Sequence, residues 1–313
     1  MLTLAALAAA QSPQLEVLQT VDGGDLAMLY RPEAIAFGPD GTSYVLNAGD
    51  GQVIQFDADW QQVRTFGHEG EGPGEFLNPT GMIIRDGRLW VFEMLRATVF
   101  SLAGEYERTL TGRLEMHEPI STDRGILVRL GSSDRLAALL DDQLELLTKL
   151  GPECPTGDFM ASYQACGFVH VLPHPDFLAL LLNPFDGHLW ALDRDGAVAR
   201  DLDLVGASGQ SRVSKPDDGG NVSMRFTLVI ATGGVDRAGR FWTLPMVTGE
   251  DDPDAPQVIV VRDRRLAPIA EFTLPDDVHA FRIDQAPDGH LILLDGGASL
   301  LHVCAYPAEL GDD

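Results

Sequence analysis

Eight ionisable residues stand at, or just before, the start of short apolar runs: Arg31, Glu33, His117, Glu118, His170, Arg225, His279 and Arg282. Asn78 holds a similar place. If a repeated fold brought these starts together, the result would be a ring of imidazole, carboxylate and guanidinium groups. Such a ring suits a small polar ligand or a metal ion. Three histidines from separate segments, His117, His170 and His279, suffice for zinc or copper if they converge. The plain alternative is a hydrated channel whose polar lining has no ligand. Nucleophilic catalysis has no support: "GASGQS" (206–211) is not a G-x-S-x-G elbow. "EDDPD" (250–254) is acidic enough for calcium but lacks EF-hand spacing. His174, His188, His290 and His302 read as turn or strand residues. No catalytic residue and no metal ligand is assigned; the candidate ions are Ca²⁺ or Zn²⁺, neither of them required.

The elements that would position these residues recur. Six apolar runs, "TSYVLN" (42–47), "RLWVFE" (88–93), "ILVRL" (126–130), "FLALLL" (177–182), "RFWTLP" (240–245) and "HLILLD" (290–295), are each followed by a turn and an alternating strand. Gly41, Gly87, Gly239 and Gly289 directly precede four of them. Three of these glycines lie in Asp-Gly turns, which favour hairpins. Five units continue into a fourth strand, and the sixth stops at Tyr306-Pro307. The missing strand is at the other end of the chain, where "LEVLQTV" (15–21) resembles the fourth strands and has nothing to pair with. Joining the ends would complete the sixth unit and remove an exposed edge. A period of roughly 40–50 residues with four strands per unit is that of propeller blades. The expected fold is therefore all-β: a six-bladed β-propeller of four-stranded antiparallel blades, closed by the N-terminal strand. The best helical competitor is "SDRLAALLDDQLELLTKL" (133–150), but its place in the repeat predicts two strands around Asp141-Asp142.

Between units lie connectors such as "FGHEGEGPGEFLNPTGM" (66–82), echoed by "TKLGPECPTGDF" (148–159). Their glycines supply unusual backbone angles for the crossing from the outermost strand of one blade to the innermost of the next. Phe76 is expected to plug between blades. This is no phosphate loop, since the glycine spacing is wrong and no Lys-Ser/Thr follows. Two long insertions, 206–225 and 247–256, fall on one face of neighbouring blades and predict a binding rim.

The 313 residues carry 47 acidic against 22 basic side chains, a net charge of −25. That surface repels phosphate backbones and anionic lipid, so nucleic acid is an unexpected partner. The start, "MLTLAALAAAQ", is too short to span a bilayer and has the apolar core and small-x-small end of a signal peptide over 1–10. The rest, 11–313, is expected to be a single propeller, secreted or periplasmic and monomeric. In that compartment a Cys154–Cys166 disulfide is expected, while Cys304 in "SLLHVCAY" reads as an inert core thiol.

The segment Arg31–Met82, with "RPEAIAFGPDGTSYVLNAGDGQVIQFDADW" and the connector after it, resembles an NHL-type repeat of six-bladed propellers; the similarity fades through 100–230. The resemblance implies a ring-closed propeller and a binding role, with a protein or small polar ligand as partner. Two enzyme families of this architecture give the alternative, a metal-dependent hydrolase or lyase with its site at the channel mouth. Glu33 in "PEAIAF" resembles the first metal-binding acid of gluconolactonase-like propellers, but Ala231 stands where a further ligand is due. Amidating lyases, similar in blade pattern, use inner-strand histidines, to which His117, His170 and His279 would correspond.

Overall fold

The computed structural model describes residues 12–131, 133–155, 165–204, 230–245, 257–295 and 297–311. Its strands form six separate four-stranded antiparallel sheets. Blade one is β2 (Pro32–Phe37), β3 (Ser43–Asn47), β4 (Gln52–Phe56) and β5 (Gln62–Phe66). Blade two is β6 (Pro79–Arg85), β7 (Arg88–Glu93), β8 (Arg96–Ser101) and β9 (Tyr106–Thr111). Blade three is β10 (Met116–Thr122), β11 (Gly125–Leu130), β12 (Arg135–Leu140) and β13 (Leu146–Glu153). The helical competitor is thus two strands joined by a turn at Asp141. Blade four is β14 (His170–Leu172), β15 (Ala179–Leu182), β16 (His188–Leu192) and β17 (Val198–Asp203). Blade five is β18 (Ile230–Val235), β19 (Phe241–Pro245), β20 (Val258–Arg262) and β21 (Pro268–Thr273).

Blade six joins both ends of the chain. Its order is β1 (Val17–Val21), β24 (Leu300–Cys304), β23 (Leu291–Asp295) and β22 (Arg282–Gln285). β1 pairs antiparallel with β24, Val17 opposite Cys304 and Val21 opposite Leu301. The expected closure is therefore the observed one, and β1 covers the edge that β24 would otherwise expose.

The burial pattern explains the composition. Middle strands such as β11 are buried at every position because a neighbouring blade covers each face. They read as continuous apolar runs, not as alternation. The outer strands β9 and β17 are mostly exposed, and β5 has no buried position. Six apolar clusters fill the six gaps between adjacent blades. Phe76 is fully buried among Tyr44, Leu46, Leu89 and Phe100, the inter-blade plug that the connector predicts. First strands of neighbouring blades meet from β2 through β22, and β2 meets β23 across the closure, so the first strands line the axis.

The connector is held by a residue that sequence reading passes over. Arg96 donates to the carbonyls of Gly70 and Glu71, both at 3.1 Å, and of Glu75 at 3.3 Å. It also pairs with Glu93, whose Oε1 accepts the Leu77 N–H at 2.9 Å. Cys154 and Cys166 are disulfide-bonded, and Cys304 is a buried free thiol.

Candidate functional site at the channel mouth

Four inner strands carry a β-bulge near their starts: β2 between Pro32 and Ala34, β6 between Pro79 and Gly81, β10 between His117 and Ile120, and β18 between Ile230 and Thr232. A bulge re-aims a side chain out of the pleat. The residues it re-aims here are Glu33, Thr80 and Glu118, at equivalent places in three blades. Ala231 stands at the corresponding backbone position of β18.

Two of the site residues also have strained backbones. Arg31 and Glu118 have φ of 52° and 48°. For residues with a Cβ this costs on the order of 1 kcal/mol or more, and such angles cluster at functional sites. Gly81 makes room for the Glu118 bulge, since a Cβ on it would come within 2.4 Å of Pro119 Cδ.

The groups interact across blades. His170 Nδ1 lies 3.4 Å from Glu118 Oε1, and the two side chains remain 26% and 27% exposed, open to the channel though deep in the molecule. Arg282 Nε donates to Asp284 Oδ2 at 2.7 Å, within the same strand. Burial alone would raise the Glu118 carboxyl. Contact with His170, then the charges of Arg282 and Arg129, outweigh it and bring the pKa down to about 2. Glu33 moves the opposite way: burial raises it, Glu118 adds to the rise, and Arg31, Arg282 and His170 offset only part. Burial lowers Arg282, but Asp284, Glu118 and Glu33 more than restore it. Burial and the Arg129 charge bring His117 down to about 4, against the pull of Glu118. Blades one, three, four and six thus place Glu33, Glu118, His170 and Arg282 within electrostatic reach of one another.

The remaining expected residues have other places. Arg31 donates to the Ala48 carbonyl at 3.4 Å. His279 is exposed on the rim; its N–H donates to Asp295 Oδ2 at 3.0 Å and its ring is 3.4 Å from Gln257 Nε2. It does not join His117 and His170. Arg225 and both long insertions, 206–225 and 247–256, lie outside the described residues. Among the described residues no group of three or more His, Cys, Asp or Glu is placed to hold a metal ion. Asp284 and Arg129 were missed by sequence reading. Asp284 lies two residues after Arg282 on a strand, hence on the same face, a signal that was there to use.

Two clefts of about 570 and 670 Å³ lie on the opposite face, sharing Arg237, Ala238 and Arg240. Their polar groups are engaged within the protein: Arg240 with Tyr306 and Leu310, Arg264 with Asp176. One group lining them is strongly shifted: burial, then the hydrogen bond to Asp236, push the Tyr306 hydroxyl well above its ordinary value.

No protein-family model matches the chain, and no curated protein matches it. Solved structures do. A Bacteroides fragilis protein assigned as exported aligns with TM-score 0.62 and 11% identity, over 90% of this chain and 84% of that one. A catalytically inactive virginiamycin B lyase of Staphylococcus aureus, with quinupristin, aligns with TM-score 0.56 and 10% identity, over 94% and 89%. The WD40 β-propeller domain of Doa1 aligns with TM-score 0.55 and 13% identity, over 95% and 98%. At these identities the likeness is one of fold: the chain is a six-bladed β-propeller. Among the described residues no helix is long and apolar enough to cross a membrane.

Proposed function

We propose that the chain is an exported, monomeric, NHL-like propeller that binds a small polar ligand or a protein segment at the channel mouth, with the blade four–five loop face around it. The observation that carries this is the convergence of Glu33, Glu118, His170 and Arg282 from four blades, with Glu118 held at positive φ. Backbone strain and buried charge are features a fold keeps poorly without a use for them. Export is supported by the apolar N-terminus, by the disulfide and by the likeness to an exported protein.

A panel of amino acids, sugar acids, polyamines and short peptides, read by thermal shift and then calorimetry, tests the reading. A binder whose affinity falls at least tenfold in Glu118→Gln and Arg282→Gln supports it. Binding indifferent to both substitutions, or no binder at all, defeats it.

One observation favours a second reading, a hydrolase or lyase. Two carboxylates share the mouth with their pKa values pushed apart, Glu33 up and Glu118 down, the pattern of paired acid and base groups. Metal analysis of the purified chain separates the versions of this reading. Stoichiometric Ca²⁺ or Zn²⁺ lost in Glu33→Ala would favour the metal-dependent form. Turnover of lactones or peptide esters without metal would favour the carboxylate pair.

A further inference from the structure

Six large apolar side chains are exposed in an arc over blades one and two, on the face that carries the channel mouth: Leu26, Met28, Tyr30, Leu77, Met94 and Leu95. They are 39–59% exposed. Among the described residues every other exposed large apolar side chain, Phe168 apart, stands on an outer strand, β1, β5, β9, β13, β17 or β21. Phe168 belongs to the same face, on the connector into blade four. The turns of the opposite face carry none. A contiguous exposed apolar patch is a mark of an interaction site, where scattered single residues are not.

The arc is built, not frayed. Residues Asp22–Leu29 form a small loop closed by Leu29 N–H to the Asp22 carbonyl at 2.8 Å and by Gly24 N–H to the Ala27 carbonyl at 3.0 Å. Gln62 fixes its tip: Oε1 accepts the N–H groups of Leu26 and Ala27 at 2.8 and 3.1 Å. Asn47, fully buried, fixes its exit: Oδ1 accepts the Tyr30 N–H at 2.5 Å and Nδ2 donates to the Met28 carbonyl at 3.0 Å. Leu29 turns into the core, so Leu26, Met28 and Tyr30 stay outside. On the far side, the Met94 and Leu95 carbonyls accept N–H groups of Met116 and Gly112, each at 2.7 Å. The arc abuts the mouth: Tyr30 precedes Glu33 by three residues, and Leu77 precedes the first residue of β6 by two.

The Arg31 and Arg282 charges act on Glu33 at the mouth, but neither guanidinium is bonded to it. Arg282 has Asp284, Glu118 has His170, Arg129 donates to the Gly167 carbonyl and Arg31 to that of Ala48. Among the described residues, Glu33 alone of these has neither hydrogen bond nor ion pair. A desolvated carboxylate without a donor is costly, and a ligand cation would relieve it. The net charge of −25 draws cations toward the molecule.

We propose that the arc docks an apolar peptide segment carrying one cationic group, a lysine, an arginine or a free amino terminus, which enters the mouth and pairs with Glu33. This rests on the channel-mouth reading above and specifies its ligand.

Selection of a random hexapeptide library on the immobilised full-length protein tests it. The expected pool carries one basic residue or free amine flanked by leucine, methionine or aromatic residues. In a selected lysine peptide, replacing lysine by norleucine should weaken binding at least tenfold on the wild-type protein, a comparison that needs no variant. Glu33→Gln should abolish that preference. The double variant Met28→Ser, Tyr30→Ser should weaken lysine and norleucine peptides alike. A pool without basic residues, equal binding of the two peptides, or a preference that survives Glu33→Gln overturns the inference. No enrichment overturns it as well. The broader reading fails separately: if a non-peptide binder from the panel is lost in Arg282→Gln while no peptide binds, the mouth is a site and only the peptide inference falls.

Discussion

His170 Nδ1 lies 3.4 Å from Glu118 Oε1, a contact that ties the fourth blade to the third where the channel opens. It forms because the bulge in β10 swings Glu118 out of its sheet toward the axis. The same bulge leaves His117, beside it, facing Arg129 across the β10–β11 pair.

Both neighbours make the fold less stable in acid, over different pH ranges. Glu118, held at about 2, contributes stability that is fully present above the ordinary carboxylate value near 4.5 and is lost as pH falls toward 2. His117, held at about 4, resists protonation in the folded state while the unfolded chain takes up a proton near 6.5. Its effect is therefore a loss of stability as pH falls from 6.5 to 4. Urea unfolding at pH 7 and pH 4.5 should show wild-type protein losing about 1–2 kcal/mol more than His117→Gln over that interval. Equal losses would show that the burial of His117 is not what the pH dependence reports.

Arg96→Ala should destabilise the protein by about 2–4 kcal/mol. It strips donors from three connector carbonyls and leaves Glu93 without its ion-pair partner. Arg96→Lys should recover only part, because an ammonium lacks the fork that reaches separate carbonyls. Limited proteolysis should cut first within 67–75 in the alanine variant. Cleavage elsewhere, or unchanged denaturation, would remove Arg96 from its role as the connector's anchor.

A chain begun after Val21 should lose its monomeric, cooperative unfolding. β24 would then present an open edge, and Val21, only 4% exposed, would leave a gap in the cluster between blades six and one. Light scattering and thermal denaturation would show association and a lowered midpoint. A truncated chain as stable and monomeric as the parent would contradict closure by β1.

The cysteines should separate by chemistry. Reduction of Cys154–Cys166, or Cys154→Ser, should lower stability by roughly 2–3 kcal/mol, as expected for a short closed loop. Cys304 should resist maleimide in the native protein, because burial pushes its thiol up to about 12 and solvent does not reach it. Rapid native labelling of one thiol would show that this strand opens readily.

Much of this was legible beforehand, and the exceptions have physical causes. The turn between third and fourth strands has one geometry in five blades, with a residue at positive φ: Trp60, Gly104, Leu144, Gly196 and Leu266. Only two are glycines, so a search by glycine finds two. Trp60, Leu144 and Leu266 tolerate the angle because each is buried, and burial offsets the local strain. The candidate site was legible in kind but not in membership. Glu33, Glu118, His170 and Arg282 do face one another, whereas His279 lies on the rim, and Asp284, Asn47 and Gln62 drew no notice.

The order of residues determined the strands, the number of blades and their closure, because periodic burial and turn chemistry are local properties repeated along the chain. It also determined the charge that disfavours nucleic acid. Which side chains share the channel, which carboxylate is left without a partner, and where apolar residues stand exposed were decided only in three dimensions. Bulges and crossings rotate side chains by amounts that no spacing encodes, and electrostatic shifts depend on neighbours from other blades.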